Sequence, residues 1–379
     1  MSEGKRNGQD PGANWDLTRL LAETSYQVLA TDGAIRSVVF PGEPYHGRPT
    51  DVFAYVGIPP RATGPVPGMI CVHGGLGAAF RSWVELWVRR GYAAIAVDLN
   101  ACGADRVPLA QGGPALNDGV IFDPTAAWTN RWAYHAVAAV IRSHTILRCM
   151  PGVDPNRIGI TGVSWGGYLT CIVAGLDPRL ACAIPVYGCG FLQSNSAADW
   201  MKRFAAMTPA QRQDWHEHCD PSRYLSSAGL PILFVSGVDD FAFPLDSVQR
   251  TYALPQSSVA FCIRVGMAHS QEAGIAPDEI HLFADQQLRG GEPLPTFGPS
   301  RFHDRQLQAG FTSRRPLKTV SLLCTSDRGR WQDRKWRTLP ALVKNGEIGA
   351  EVPPGVTACF LGLEDDRGAY ASSPHLALA

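Results

Sequence analysis

The chain has 379 residues, more than one hydrophobic core usually supports, so we expect one large domain and one small one. Its composition, 45% apolar and 18% charged, excludes a disordered chain. Basic and acidic residues both total 34, so no charge excess points to nucleic acid or an anionic membrane surface, and no apolar run approaches the roughly 20 residues of a membrane-spanning helix.

The N-terminus and the cysteines bear on the compartment. Residues 1–25 are predicted to be an N-terminal extension, and residues 1–14 are polar and lack the apolar segment of a secretory signal. The ten cysteines are scattered, form no CxxC pair and in several cases lie inside apolar segments, where cysteine acts as a small buried hydrophobe. We therefore expect reduced thiols in a cytoplasmic protein. The alternative is a secreted protein whose signal peptide has been removed.

The hydrophobic pattern changes along the chain. Residues 26–58 alternate apolar and polar side chains between turn residues, which predicts antiparallel strands at a sheet edge. Short apolar runs then alternate with helical stretches, which indicates an α/β fold with a mostly parallel sheet covered by helices on both faces. The predicted strands are 68–72, 92–97, 158–161, 181–186, 231–235 and 259–265. The predicted helices are 81–90, 131–147, 246–253 and 277–288.

Two further segments depart from this alternation. Residues 190–227 form a polar, helix-rich insertion, and long insertions inside a compact domain are usually lids or binding elements. Residues 291–299 are rich in proline and glycine and are predicted to be a linker. Beyond it, short strand-like runs alternate with turn signals, which predicts a small antiparallel β-sandwich over residues 300–379.

The strongest chemical signal follows the predicted strand at 158–161. There a G-x-S-x-G sequence opens a helical stretch, with the letters Gly162-Val163-Ser164-Trp165-Gly166. A serine nucleophile on a tight strand-to-helix turn requires glycine two residues before and two residues after it, because a side chain would not fit there. The helix N-terminus favours negative charge beside the serine oxygen. This context predicts that Ser164 is a catalytic nucleophile.

A serine nucleophile needs a base, and the base needs an orienting acid. In the strand-serine-helix arrangement the acid and then the histidine follow in chain order, each after a later strand. This order selects Asp240 and His269. Asp239 is the alternative acid, although its position also fits a turn residue that bonds to local backbone. His281 is the alternative base, although its surroundings predict a helix face.

The oxyanion formed by nucleophilic attack needs fixed N–H donors. We expect one from the backbone of Trp165 and the other from Gly75 or Gly74, in the glycine-rich loop after the strand at 68–72. His73 in this loop is expected to brace it. Aromatic side chains suggested for substrate binding are Trp128, Tyr187 and Trp200. The histidines and acids of residues 216–220 are expected to be a solvated helix end rather than a metal site, and no metal or other cofactor is predicted.

Together these residues resemble the α/β-hydrolase superfamily. The closer likeness is to the branch that contains dienelactone hydrolase-like proteins, acetylxylan esterase-like proteins and prolyl oligopeptidase-type catalytic domains. It covers residues 26–291, the predicted catalytic domain, and in that branch the acid lies three residues after the glycine of the second-to-last strand, here Asp240. Dienelactone hydrolases proper use a cysteine nucleophile, whereas this chain has Ser164. The C-terminal sandwich looks like the fibronectin-type appendages of some bacterial members.

The resemblance implies a Ser-His-Asp hydrolase that cleaves a small-molecule carboxylic ester through an acyl-enzyme. The first alternative is a peptidase or amidase of the prolyl oligopeptidase type. The second is a non-catalytic binding protein on a hydrolase scaffold, although all three candidate residues are present. No nucleic acid or membrane partner is expected, and a homo-oligomer is possible.

Overall fold

A computed structural model describes residues 11–60 and 62–378, and a large twisted sheet dominates it. Its strands are β1 (Gln27–Asp32), β2 (Ile35–Pro41), β3 (Asp51–Gly57), β4 (Val66–Val72), β5 (Ala93–Val97), β6 (Val153–Val163), β7 (Cys182–Val186), β8 (Ile232–Gly237) and β9 (Val259–Arg264). The strand order is β1-β2-β3-β5-β4-β6-β7-β8-β9.

The direction of the strands follows the change of pattern in the sequence. The alternating strands β1, β2 and β3 pair antiparallel at one edge. The apolar strands from β4 to β9 run parallel. Strands β4, β5, β7 and β8 are almost wholly buried, whereas the edge strand β9 is only partly buried. The predicted α/β architecture with an antiparallel sheet edge is confirmed. All parallel strands end at the same edge of the sheet, and the loops that leave this edge meet there.

Helices connect and cover these strands. They are α1 (Leu17–Leu21), α2 (Arg81–Arg89), α3 (Asp118–Ile121), α4 (Trp132–Cys149), α5 (Trp165–Leu176), α6 (Ala198–Ala206), α7 (Pro209–Cys219), α8 (Leu245–Tyr252), α9 (Gln271–Ile275) and α10 (Asp278–Arg289). The insertion at 190–227 contains α6 and α7. None of the described helices combines the length and apolar character needed to cross a membrane.

Helix α4 lies in the core although its sequence carries charges. It is buried from residue 132 to residue 147, including Arg142 and His144. Arg142 donates to Glu43 over 2.9 Å, and the imidazole of His144 lies 2.8 Å from the carboxylate of Asp177. Each of these two buried side chains is therefore paired with a carboxylate, which lowers the cost of its burial.

Two antiparallel sheets follow the large sheet in the chain. Their strands are β10 (Thr296–His303), β11 (Gln306–Thr312), β12 (Leu317–Thr325), β13 (Arg337–Pro340), β14 (Leu342–Lys344), β15 (Glu347–Glu351), β16 (Ala358–Asp365), β17 (Tyr370–Ser372) and β18 (Leu376–Ala377). One sheet has the order β10-β11-β15-β14 and the other β13-β12-β16-β17, with β18 also on β16. Side chains of both sheets share one apolar core, and we call this unit the C-terminal sandwich.

The predicted linker at 291–299 is shorter in the structure, because β10 already begins at Thr296. Pro299 lies within β10, where the pairing with β11 shifts register between Phe297 and Ser300. Proline lacks the N–H that a central strand needs, but an edge strand with a bulge tolerates it. Strand β10 is such an edge strand.

The C-terminal sandwich packs directly on the part of the chain that holds the large sheet. Leu323, Phe360 and Ala369 belong to the large core rather than to that of the sandwich. The backbone N–H of Ile263 in β9 donates to the Ser372 hydroxyl in β17 over 3.1 Å. The last strand of the large sheet therefore contacts the sandwich.

The predicted N-terminal extension lies partly outside the described residues, since its first ten positions are not among them. The described remainder packs on the body of the protein. Trp15 is buried, lies parallel to the ring of Tyr134 with 6.3 Å between centroids, and donates its indole N–H to the backbone oxygen of Tyr134.

Candidate active site

Ser164 sits at the turn between β6 and α5 in a strained backbone conformation. Its φ is 61° and its ψ is −120°, a region that costs of order 1–3 kcal/mol for a residue with a side chain. A Cβ on Gly166 would lie 1.9 Å from the backbone oxygen of Val72, and one on Gly162 would lie 2.2 Å from that of Gly166. Both glycines of the motif are thus required for the chain to pass through this turn.

His269 lies against Ser164 at the carboxyl edge of the sheet. Its Nε2 is 2.9 Å from the Ser164 hydroxyl oxygen, and its Nδ1 is 2.6 Å from a carboxylate oxygen of Asp240. These are hydrogen-bond distances, and the order serine, imidazole, carboxylate is that of a nucleophile, a base and an orienting acid. The structure therefore brings together the three predicted residues, which are far apart in the sequence.

The two candidate acids have opposite environments. Asp240 is buried, and its second oxygen accepts the backbone N–H groups of Ala242 and Phe243 over 2.9 and 2.8 Å. These bonds fix the carboxylate so that its other oxygen faces His269. Asp239 is exposed. The geometry thus selects Asp240 of the pair.

The alternative base, His281, is not near Ser164. It lies in α10 with its ring 4.8 Å from that of Trp87. Burial, assisted by the positive charge of Arg90, lowers the pKa of His281 to about 4. It is a neutral core side chain on a helix face, as its sequence context indicated.

The glycine-rich loop after β4 lies beside Ser164. A Cβ on Gly74 would be 3.0 Å from the Cβ of Ser164, and one on Gly75 would be 3.0 Å from the Trp165 ring. The N–H of Trp165 is the first in α5, where helical N–H groups have no partner within the helix. The backbone of the loop and the start of α5 are thus close enough to the serine to frame an anion.

His73 holds this loop in place. Its Nε2 accepts the backbone N–H of Leu99 over 2.9 Å, so the proton resides on Nδ1, which donates to the Gly74 oxygen over 2.7 Å. Burial lowers the pKa of His73, which favours this neutral form. The side chain links the loop after β4 to the end of β5.

The three aromatic residues suggested for substrate binding have three different positions. Trp200 of α6 packs next to the triad, with its ring 4.6 Å from that of Trp165, the residue after Ser164, and 5.4 Å from that of Phe243. Trp128 belongs to a separate aromatic cluster with Trp15. Of the three, Trp200 and Tyr187 pack on direct neighbours or members of the Ser164-His269-Asp240 series, and Trp128 does not.

Tyr187 is buried rather than open to a substrate. Its ring stacks on that of His269 at 4.6 Å, and its hydroxyl donates to the backbone oxygen of Ala268 over 2.5 Å. The side chain thus supports the base and the loop that carries it. Its place directly after β7 predicts that it lies at the carboxyl edge of the sheet, but not that it supports the base.

Phe241 and Phe122 are neighbours of the site that sequence reasoning missed. Phe241 is 58% exposed and its ring lies 4.9 Å from that of His269. Phe122 packs on Trp165 and Trp200 from the loop before α4. The position of Phe241 next to the acid was a usable signal, whereas nothing in the sequence of the loop marks Phe122.

The acidic and histidine residues at 216–220 do not form a metal site. Asp220 is buried and accepts the backbone N–H groups of Phe191 and Ser222, which uses its carboxylate for local structure. Within residues 11–60 and 62–378, no group of three or more His, Cys, Asp or Glu side chains is arranged to hold a metal ion.

Comparison with known proteins identifies the family. Residues 52–269, which contain Ser164, Asp240 and His269, match the family model described as the dienelactone hydrolase family. The chain belongs to the dienelactone hydrolase family. The predicted family resemblance and the predicted α/β-hydrolase fold are confirmed.

Solved structures of α/β-hydrolases share the fold of this family member. Acetyl xylan esterases from a Thermoanaerobacterium species and a Paenibacillus species both align with a TM-score of 0.59, at 19% and 21% identity. The alignments cover 73% and 75% of this chain, and 93% and 96% of those chains. A puromycin-hydrolyzing peptidase from Mycobacterium tuberculosis aligns at 0.52 with 21% identity, over 69% of this chain and 41% of that one.

A curated relative matches a shorter stretch. A 4-O-methyl-glucuronoyl methylesterase from Podospora anserina is 28% identical over 86 residues, which are 21% of this chain and 18% of that protein. The chain thus matches less than a fifth of the length of this relative.

Proposed function

We propose that this dienelactone hydrolase family member cleaves a small-molecule carboxylic ester through an acyl-enzyme on Ser164. The observation that carries the proposal is the hydrogen-bonded series from the Ser164 hydroxyl through His269 to Asp240, at 2.9 and 2.6 Å. A base within hydrogen-bond reach of a serine, itself oriented by a buried acid, is the arrangement that activates a serine hydroxyl.

In the first step His269 Nε2 takes the proton of the Ser164 hydroxyl as its oxygen attacks the ester carbonyl. Asp240 holds the imidazole with Nδ1 protonated and stabilises the imidazolium that forms. The negative oxygen of the tetrahedral intermediate accepts hydrogen bonds from the backbone N–H groups of Trp165 and of Gly75 or Gly74. The imidazolium then protonates the leaving alcohol, and the acyl group stays on the serine.

In the second step water attacks the acyl-enzyme. His269 accepts a proton from this water, and a second tetrahedral intermediate forms in the same oxyanion site. Its collapse releases the carboxylic acid and returns the proton to Ser164. Every step uses groups of the chain itself.

The activities for which the relatives are named support an ester as substrate. Two of the structural neighbours are acetyl xylan esterases, and the curated relative is a methylesterase. The formal net charge of zero fits an uncharged small molecule better than a nucleic acid. Cytoplasmic residence, a possible homo-oligomer and the choice between ester and amide stay predictions.

Substitution of the nucleophile tests the proposal. We expect Ser164→Ala to lower kcat on p-nitrophenyl acetate by about four or more powers of ten, because the attacking oxygen is lost. A fluorophosphonate probe should label the wild type and not this variant. Ser143→Ala is the matched control, since that hydroxyl is buried in α4 and bonds only to backbone oxygens. Wild-type turnover in Ser164→Ala would contradict the assignment, and an unlabelled wild type would favour a binding protein.

A further inference from the structure

The C-terminal sandwich extends an unusually long hairpin connection toward the insertion. Strands β12 and β13 are antiparallel neighbours, yet residues 326–336 separate them. Hairpin loops usually have about two to five residues, and longer ones without their own secondary structure are often functional. This connection, which we call the 326–336 loop, carries a single helical turn at Trp331–Asp333.

Internal contacts give the 326–336 loop a defined shape. Asp327 accepts the backbone N–H of Lys335 over 2.7 Å, which closes its base. The guanidinium of Arg334 lies 3.8 Å from the centre of the Trp331 ring and donates to the backbone oxygen of Gly329. The loop is therefore a preformed projection that can hold another segment in place.

The segment that the 326–336 loop contacts is the start of the insertion. The amide nitrogen of Gln332 lies 2.9 Å from the side-chain oxygen of Asn195 and 3.1 Å from the backbone oxygen of Ser196. Asn195 in turn donates to both carboxylate oxygens of Asp246 in α8, over 3.0 and 3.1 Å. The Ser247 hydroxyl donates to the backbone oxygen of Asn195 over 3.0 Å. Residues 195 and 196 are thus held between the sandwich and α8.

The two helices next to residues 195 and 196, α6 and α8, both adjoin the candidate active site. Helix α6 begins at Ala198, two residues beyond Ser196, and its Trp200 contacts the rings of Trp165 and Phe243. Helix α8 begins at Leu245, directly after the turn that contains Asp240 and Phe243. A displacement of residues 195 and 196 would therefore move Trp200 relative to Trp165 and Phe243, while Ser164, His269 and Asp240 are held by hydrogen bonds to one another.

We propose that the C-terminal sandwich acts as a positioning element for the substrate pocket, and that Gln332 is the positioning residue. The 326–336 loop holds residues 195 and 196 against α8 and so fixes Trp200 beside Ser164. The sandwich thereby helps to set which acyl or alcohol groups fit. The predicted effect of the sandwich on specificity rests on the proposed ester hydrolysis. The predicted effect on the mobility of the insertion does not.

Hydrogen exchange followed by mass spectrometry tests the mobility. Gln332→Ala removes the bonds to Asn195 and Ser196, so amide exchange in residues 195–206 should accelerate about tenfold, the effect of losing one to two net hydrogen bonds. Exchange in β6 and α5, which hold Ser164, should not change. The matched control is Gln306→Ala, an exposed glutamine on β11 of the same sandwich. Equal exchange in Gln332→Ala and Gln306→Ala would overturn the proposal.

Kinetics test the consequence for specificity. With Trp200 less constrained, we expect the ratio of kcat/KM for p-nitrophenyl butyrate to that for the acetate to rise about threefold or more in Gln332→Ala, the effect of one net hydrogen bond. The change should arise in KM, with kcat on acetate near the wild-type value, because Ser164, His269 and Asp240 keep their distances. Should Gln332→Ala lose its fold, Gln332→Asn, which cannot span the same gap, serves in both measurements.

The outcomes separate this inference from the proposed function. If amide exchange accelerates in Gln332→Ala but the wild type has no activity on any ester, the positioning role is supported and ester hydrolysis is contradicted. Active variants with wild-type exchange and wild-type selectivity overturn the positioning role and leave ester hydrolysis intact. A uniform fall in kcat for all esters also contradicts the positioning role, because it would place the effect at the reacting groups.

Discussion

At the scale of single residues, the site depends on how neighbouring side chains are placed rather than on their chemistry. Asp239 and Asp240 are the same residue type on one turn, yet only Asp240 is buried with two backbone N–H donors on one oxygen and His269 on the other. A carboxylate with this geometry fixes both the position and the tautomer of the imidazole. An exposed carboxylate beside it has neither constraint.

The two aspartates give a matched pair of substitutions. Asp240→Asn keeps the shape of the side chain but offers His269 an amide, which favours the wrong tautomer, so we expect kcat to fall by about four powers of ten. Asp239→Asn should retain activity within about twofold, since surface changes of this kind usually have small effects. Steady-state kinetics on p-nitrophenyl acetate measure both. A large loss in Asp239→Asn with an active Asp240→Asn would reverse the assignment.

At the scale of elements, sequence order determines most of the candidate site. Ser164, Asp240 and His269 each follow an apolar strand, and parallel strands place their carboxyl ends at one edge, so these residues could be predicted to meet. The roles of Tyr187 and Phe122 could not be predicted in this way. Both depend on which side chains touch across loops that have no periodic pattern. Trp128 shows the same limit, because an aromatic residue in a loop has no signal for the cluster it joins.

The turn at Ser164 gives a test at this scale. Gly166→Ala would place a Cβ 1.9 Å from the backbone oxygen of Val72, and backbone on both sides cannot move away without separating α5 from β4. We expect a loss of several kcal/mol in the free energy of unfolding, about 3 or more, together with loss of activity. Urea unfolding followed by circular dichroism measures the change in the free energy of unfolding.

Gly229→Ala is the control for that substitution. A Cβ at Gly229 would meet nothing within 4 Å, and its φ is not positive. We expect its free energy of unfolding to stay within about 1 kcal/mol of the wild type. Equal stability of the two variants would show that the turn at Ser164 relaxes around a side chain.

At the scale of the whole molecule, a buried ionic cluster ties the N-terminal segment to the core. Glu43 is 2% exposed and accepts hydrogen bonds from Arg19 of α1, and from Arg142 and Tyr134 of α4. The sequence predicts α4 from its apolar residues, but it does not predict that Arg142 is buried, because its partner lies some hundred positions earlier. The extent of the sandwich was underestimated for a related reason, since edge strands with proline have the composition of linkers.

This cluster makes stability depend on pH in a specific range. Burial alone would raise the pKa of Glu43, but the hydrogen bonds from Arg19, Arg142 and Tyr134 lower it from 4.5 to about 2. A carboxylate whose pKa is lower in the folded state stabilises that state at pH values above its unfolded pKa, and the contribution is lost as the pH falls through the folded pKa. The shift corresponds to about 3 kcal/mol.

We therefore expect Glu43→Gln to lower the free energy of unfolding at pH 7 by about 3 kcal/mol, because two guanidinium groups lose their anionic partner. The difference from the wild type should shrink as the pH falls from 4.5 toward 2, where Glu43 itself becomes protonated. Urea unfolding at a series of pH values measures this difference directly. Glu85→Gln, which breaks the surface pair with Arg81, should change stability by less than about 1 kcal/mol. A difference for Glu43→Gln that stays constant down to pH 2 would mean that the cluster stabilises the fold by shape rather than by charge.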